Sequence, residues 1–242
     1  MPCALYPLSL SSMKTIGIIG GLSWISTIDY YRFINEQVNQ LVGGVHAAKL
    51  ILYSLNFGEI KELTAQNDWP AMLVIVSDAA KKLQQAGADC ILIGANTMHK
   101  IAADIQKAVT IPIIHIAEAT AKAVHKKQLK KVALLGTKYT MELDFYPSAL
   151  SRHGIDMIIP GDADRDFIHH NIYEELGKGI FTDETKKRYQ QIIQQLKEQG
   201  AEGVILGCTE IPLLIKEADS PIPVFDTAFI HSCAAVEFAL NG

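Results

Sequence analysis

Gly207-Cys208-Thr209-Glu210 sets a thiol, a hydroxyl and a carboxylate in three consecutive positions behind a glycine, at the end of the apolar run Val204-Ile205-Leu206. A buried strand that stops this way carries its polar groups at the tip. A thiolate there can take or return a proton, and a strand-to-helix turn is expected to lower the Cys208 pKa from its free value of about 8.5. The competing assignment for Cys208 is a small buried core residue. The same device occurs earlier in Cys90-Ile91-Leu92-Ile93-Gly94-Ala95-Asn96-Thr97-Met98-His99, with Ala95 where Cys208 stands. His99 suits a base, a positioning donor and a satisfied boundary residue alike.

Two such tips imply a repeat. Matching Gly94 to Gly207 carries Gly87 onto Gly200 at the same offset, and both precede an apolar run as helix-end glycines do. With small slips, Lys14-Thr15-Ile16-Gly17-Ile18-Ile19-Gly20 matches Lys131-Val132-Ala133-Leu134-Leu135-Gly136, and Ile111-Pro112-Ile113-Ile114-His115 matches Ile222-Pro223-Val224-Phe225-Asp226. Four blocks in one order argue for two related halves. The fold class expected is α/β, with two similar α/β domains, mostly parallel sheets and a pseudo-two-fold axis. The first domain is set at residues 13–116 and the second at 117–226, with a terminal helix over 227–242 packing back on the first. Ligands of open α/β sheets bind beyond the carboxyl ends of the strands, so the active site is expected in the cleft between the halves, with position 95 facing Cys208.

The elements that carry these tips follow in chain order. A strand over 14–19 enters Gly20-Gly21-Leu22-Ser23, and a helix over 28–42 places Ile28, Tyr31, Ile34 and Val38 on one apolar face. The glycine pair lacks the G-x-G-x-x-G pattern of a dinucleotide site. A strand over 49–55 ends at Asn56, another polar tip, and a long helix covers 70–85. Residues 98–109 read as a helix, 111–116 as a strand and 118–125 as a helix. In the second half a strand over 132–135 reaches Gly136-Thr137-Lys138-Tyr139-Thr140, where Thr137 and Thr140 either cap a helix or bind a carboxylate, capping being the commoner use. A strand over 155–160 and helices over 165–178 and 182–199 complete the pattern. His169 and His170 are adjacent, cannot share a helical face, and are taken as unpaired.

A chain of 242 residues with 49% hydrophobic content can bury one large core or two smaller ones. A net charge of −4 with interspersed lysines and acids gives no support to nucleic-acid binding. Cys3, Cys90, Cys208 and Cys233 show neither metal-ligand spacing nor the density of a disulfide framework, so no metal is expected and a cytoplasmic location with reduced thiols is. No stretch reaches the roughly 20 continuous apolar residues of a membrane span. Residues 1–12 lack a signal peptide's basic start and precede Met13, and are taken as an N-terminal extension.

Taken together, Gly20-Gly21, Asn96-Thr97-Met98-His99, Gly136-Thr137 and Gly207-Cys208-Thr209-Glu210 resemble the aspartate/glutamate racemase family, in its cofactor-independent branch. The resemblance covers Met13 to the C-terminus. It implies paired cysteines working as two bases on an acidic amino-acid substrate, without cofactor, in a homodimer. Cys208 matches the second catalytic cysteine. Asn96, Thr97, Thr137, Thr140 and Thr209 match carboxylate and ammonium contacts, Lys178 falls near a substrate-side lysine, and Ser23 and Asn56 sit at tips on the same side. Position 95 departs from the pattern: the family carries Cys, or Thr in some relatives, immediately before the Asn-Thr pair. An alanine methyl can neither give nor take a proton, so activity is expected to be impaired or one-sided. The remaining alternatives are a single-thiol decarboxylase or cis–trans isomerase of the wider superfamily, and an amino-acid-binding protein without catalysis.

Overall fold

The computed structural model describes residues 13–241, so the expected extension at 1–12 lies outside the described residues. The chain divides into two units. One comprises residues 13–94, 101–115 and 231–241, and the other comprises 95–100 and 116–230. The Ala95 tip therefore has its contacts in the second unit, and the terminal helix is shared, changing unit at His231.

The first unit contains β1 (Ile16–Gly20), α1 (Trp24–Val42), β2 (Leu50–Ser54), α2 (Phe57–Ala65), α3 (Trp69–Gln85), β3 (Cys90–Ile93), α4 (Ala102–Gln106) and β4 (Ile113–Ile114). All pairings are parallel in the order β2-β1-β3-β4, with Ile16 beside both Leu50 and Cys90. The inner strands β1 and β3 are buried at every position, which is why they appear as unbroken apolar runs and not as alternating ones. At Gly21, φ is +71° and a Cβ would collide with the backbone of Leu55, so only glycine lets the chain turn out of β1 there.

The apolar face of α1 differs from expectation. Thr27, Tyr30, Ile34 and Val38 are buried, whereas Ile28 and Tyr31 are more than half exposed. Both stripes satisfy helical spacing, and two hydrogen bonds favour the observed one. Thr27 Oγ1 accepts from Gly21 N at 2.9 Å, and Tyr30 Oη meets His231 Nδ1 at 2.9 Å.

The second unit contains α5 (Ile116–Lys126), β5 (Lys131–Gly136), α6 (Lys138–Glu142), α7 (Phe145–Ser151), β6 (Asp156–Ile158), α8 (Asp162–Glu174), α9 (Asp183–Glu198), β7 (Gly203–Gly207), α10 (Ile211–Leu214) and β8 (Val224–Asp226), followed by α11 (Thr227–Asn241). Its parallel sheet runs β6-β5-β7-β8, the same order as the first, so the internal repeat reappears as a repeated topology.

Several expected elements are shorter than the sequence pattern, among them the strand over 155–160, which is reduced to β6. The helix over 98–109 is a 3-10 turn at Thr97–Ile101 followed by α4, and the Gln106 amide ends it by donating to Val109 O and Ile111 O. The strand over 111–116 shrinks to β4, because Pro112 has no N–H to give a ladder. The helix over 165–178 ends at Glu174, after which Leu176–Lys178 forms a 3-10 turn closed by Gly179 at φ 74°.

Candidate active site

Gly136 and Gly207 are register partners at the ends of β5 and β7, so Thr137 and Cys208 leave neighbouring strands side by side. The approach is close. A Cβ at Gly207 would lie 2.7 Å from Leu134 Cδ1, 2.9 Å from Leu135 O and 3.0 Å from Thr140 Cγ2. Thr137 caps α6 by accepting from Thr140 N at 3.2 Å. The Thr97 hydroxyl joins them, 3.1 Å from Thr137 Oγ1 and 3.3 Å from Thr140 Oγ1, and those two are 3.2 Å apart. Three hydroxyls in a ring can turn their protons toward an incoming carboxylate, a favourable arrangement where Thr137 and Thr140 are already out of water.

Residues 95–97 are tied down from within the unit. Asn96 donates from Nδ2 to Thr227 Oγ1 at 3.1 Å and accepts at Oδ1 from Tyr146 Oη at 2.6 Å, while Thr227 donates to Leu206 O at 2.8 Å. The Asn96 amide therefore fixes the tip against the end of β7. Ala95 is half-buried, and its carbonyl lies 2.8 Å from His99 Nδ1. A backbone carbonyl only accepts, so His99 carries its proton on Nδ1 and steadies the tip, in line with the positioning role among those open to it.

Cys208 is buried, and its thiol donates to Glu210 Oε2 at 3.0 Å. Thr209 Oγ1 donates to the same oxygen at 2.9 Å. Burial, then the Glu210 carboxylate, push the Cys208 thiol well above its ordinary range, against a smaller lowering by the amides of Glu210 and Ile211. This corrects the expectation of a thiol activated by a helix start. The helix in question, α10, is only four residues long, and the residue that precedes it, Glu210, is itself a carboxylate facing the thiol.

The other expected contacts are placed as follows. Ser23 precedes α1 in the first unit and its carbonyl accepts the hydroxyls of Ser26 and Thr27. Asn56 caps α2 through Gly58 N at 3.1 Å and donates to Glu59. Lys178 pairs with Glu174 at 2.6 Å on an exposed surface of the second unit. His169, expected to be unpaired, accepts from Lys138 N at 3.2 Å and stacks edgewise on Tyr139 and Tyr173, and burial lowers its pKa. Glu210, Tyr146 and Thr227 join these residues in the structure. Glu210 stood in the tip motif itself, but nothing local marks the other two. Among the described residues, no group of three or more His, Cys, Asp or Glu could hold a metal ion, and no helix is long and apolar enough to cross a membrane.

The profile of the family described as Asp/Glu/Hydantoin racemase matches residues 19–235. A candidate Asp/Glu racemase of Yersinia pestis, known from its crystal structure, is 48% identical with a TM-score of 0.88, over 95% of this chain and 100% of that one. An aspartate racemase homologue from Pyrococcus horikoshii is 38% identical with a TM-score of 0.81, over 94% and 99% of the two chains. The broad specificity amino-acid racemase RacX of Bacillus subtilis is 25% identical over 216 residues, 88% of this chain and 92% of that protein. With the profile spanning most of its length and both tip motifs inside the match, this chain belongs to the Asp/Glu/Hydantoin racemase family.

Proposed function

We propose that the protein is a cofactor-independent racemase-family isomerase of an acidic amino acid, aspartate or glutamate, in which Cys208 moves the α-proton on one face and Ala95 leaves the other face without a base. The observation that carries this reading is the Cys208–Glu210 pair beside the Thr97, Thr137 and Thr140 hydroxyls. The hydroxyl ring receives the substrate carboxylate and stabilises the charge that spreads into it when the α-carbon loses its proton. The Cys208 proton passes to Glu210 Oε2, the thiolate takes the α-proton to become a thiol again, and reversal returns a proton to the same face. The net result on that face is exchange with little inversion. The choice of an acidic substrate is supported by the Yersinia and Pyrococcus relatives, each described by that substrate class. A cytoplasmic homodimer completes the proposal, and sedimentation at working concentration tests the assembly.

The first experiment is proton NMR of L- and D-aspartate, each alone in D2O with the protein, run beside a chiral assay and repeated with glutamate. Loss of the α-proton from one enantiomer with little inversion is expected. Ala95→Cys supplies the second acid/base and raises racemisation by about 10²-fold or more, the usual contribution of such a group. No exchange with any of the four substrates, or unchanged exchange in Cys208→Ser, removes Cys208 from the mechanism.

A further inference from the structure

α6 is five residues long, too short to be stable on its own; it carries Thr140, and its cap is Thr137. Where α6 starts therefore sets where two of the three ring hydroxyls stand. The first N–H groups of a helix have no partner within it, and here two of them are taken up from different sides. Thr137 Oγ1 accepts from Thr140 N at 3.2 Å, and His169 Nδ1, reaching across from α8, accepts from Lys138 N at 3.2 Å.

Two other ties join α6 to α8. The Lys138 ammonium pairs with Asp166, and Arg165 Nε donates to Glu142 Oε1 at 2.9 Å at the far end of α6. The Lys138 and Asp166 side chains are 41% and 62% exposed, so water screens that pair and its worth is small. His169 is half-buried, and its ring meets two tyrosines edgewise, Tyr139 at 6.0 Å and Tyr173 at 5.1 Å, contacts that hold the imidazole plane. A backbone N–H only donates, so Nδ1 keeps its lone pair and the ring proton sits on Nε2. A second proton would occupy that lone pair and set two N–H groups against each other. The titratable and charged groups around the ring are Lys138, Tyr139 and Glu142 on α6, and Asp166, His170 and Tyr173 on α8. Burial, then the Lys138 ammonium, lowers the His169 pKa from 6.5, against Asp166 and Glu142. The acceptor is therefore present at neutral pH and is lost only as pH falls below 6.5.

We propose that His169 is a positioning residue for the hydroxyl ring: its neutral imidazole fixes the start of α6 through Lys138 N, so that Thr137 and Thr140 face the substrate carboxylate, and a proton on Nδ1 releases that hold. The effect on turnover rests on those hydroxyls receiving a carboxylate, as proposed above; the hold on α6 does not. Threonine hydroxyls do not titrate in this range, so the cradle acquires its pH dependence through His169.

The test follows the ¹⁵N-labelled full-length protein by NMR from pH 8 down through the His169 titration, alongside α-proton exchange of aspartate. The amide signals of Lys138 and Thr140 are expected to shift with the midpoint of the His169 ring nitrogens, and kcat/KM for exchange to fall with that midpoint. His169→Phe keeps a ring against both tyrosines and removes the acceptor; it should lower kcat/KM about fivefold at pH 8, the loss of one ordinary hydrogen bond. His169→Asn places an oxygen that cannot titrate near the position of Nδ1. It should keep the wild-type kcat/KM at pH 8 and remove the acid limb, which the loss of a merely structural histidine would not do. Lys138 and Thr140 amides that ignore the protonation of His169 overturn the proposal, as does an unchanged kcat/KM in His169→Phe or an acid limb that survives in His169→Asn. Should His169→Phe fail to fold, the wild-type titration and His169→Asn decide. Absence of exchange with both aspartate and glutamate in the wild type sinks the functional reading instead, and the amide titration then decides the role of His169 by itself.

Discussion

Tyr146→Phe removes one oxygen from a fully buried ring and leaves the ring in place, so it isolates the contact that holds the Ala95 tip. The hydroxyl donates to Asn96 Oδ1 at 2.6 Å, and Asn96 is itself 4% exposed and committed through Nδ2 to Thr227. Thr120 and Thr227 also act on the same phenol. Phenylalanine strands the Asn96 carbonyl oxygen in a dry environment without opening a cavity. The expected cost is that of one buried unsatisfied acceptor, about 2 kcal/mol. In urea, with a slope of about 2 kcal/mol/M, the midpoint should fall by about 1 M. The functional loss should follow, because Thr97 is next to Asn96 and reaches Thr137 and Thr140 only while the tip is held. A double-mutant cycle with Asn96→Leu should return a coupling of about 1 kcal/mol or more, since each single variant leaves the other's partner unpaired. A loss below about 0.5 kcal/mol together with additive single effects would show that the tip is held by something else, and the proposed cradle would lose its anchor.

Gly207→Ala should destabilise the protein by about 1–3 kcal/mol, because one of the atoms its Cβ meets is the β5 backbone oxygen of Leu135, which cannot move aside. Thermal unfolding measures the loss, and an unchanged midpoint would mean that β5 and β7 can spread at their tips. His231 is fully buried between Tyr30 Oη and Ile114 O, and burial lowers its pKa from 6.5 to about 3. The folded state therefore binds fewer protons than the unfolded chain between these values. The contribution is complete above the unfolded pKa and is lost as pH falls toward 3. Between pH 7 and pH 5 this group alone should remove on the order of 2 kcal/mol. Urea midpoints across that range should slope less in His231→Gln than in wild type, and equal slopes would assign the acid sensitivity elsewhere.

The apolar runs that end at Gly94 and Gly207 were sufficient, with no coordinates, to establish a repeated α/β pattern and to locate both tips. The reason is physical: a parallel strand covered on both faces has to be apolar throughout, and a chain turning sharply beside a neighbouring strand has room only for glycine. Thr137 could likewise be recognised as a cap from its place at a helix start. The α1 face could not. Its two candidate stripes are equally periodic, and the choice depends on Gly21 N and His231, one six residues away and the other 201.

What only tertiary structure decided concerns the chemistry of the tips. Cys208 looked activated from its local sequence, but the two effects that set its proton affinity are burial and the orientation of the Glu210 carboxylate, and neither is a property of a tetrapeptide. Thr97 lies 40 residues from Thr137 and 43 from Thr140, and it meets them because Asn96 is clamped by Tyr146 on α7 and Thr227 on α11. Motifs record which groups a strand tip carries, because sterics and burial act over a few residues. Which of those groups share a proton depends on atoms within about 3 Å, and long-range packing alone brings such atoms together.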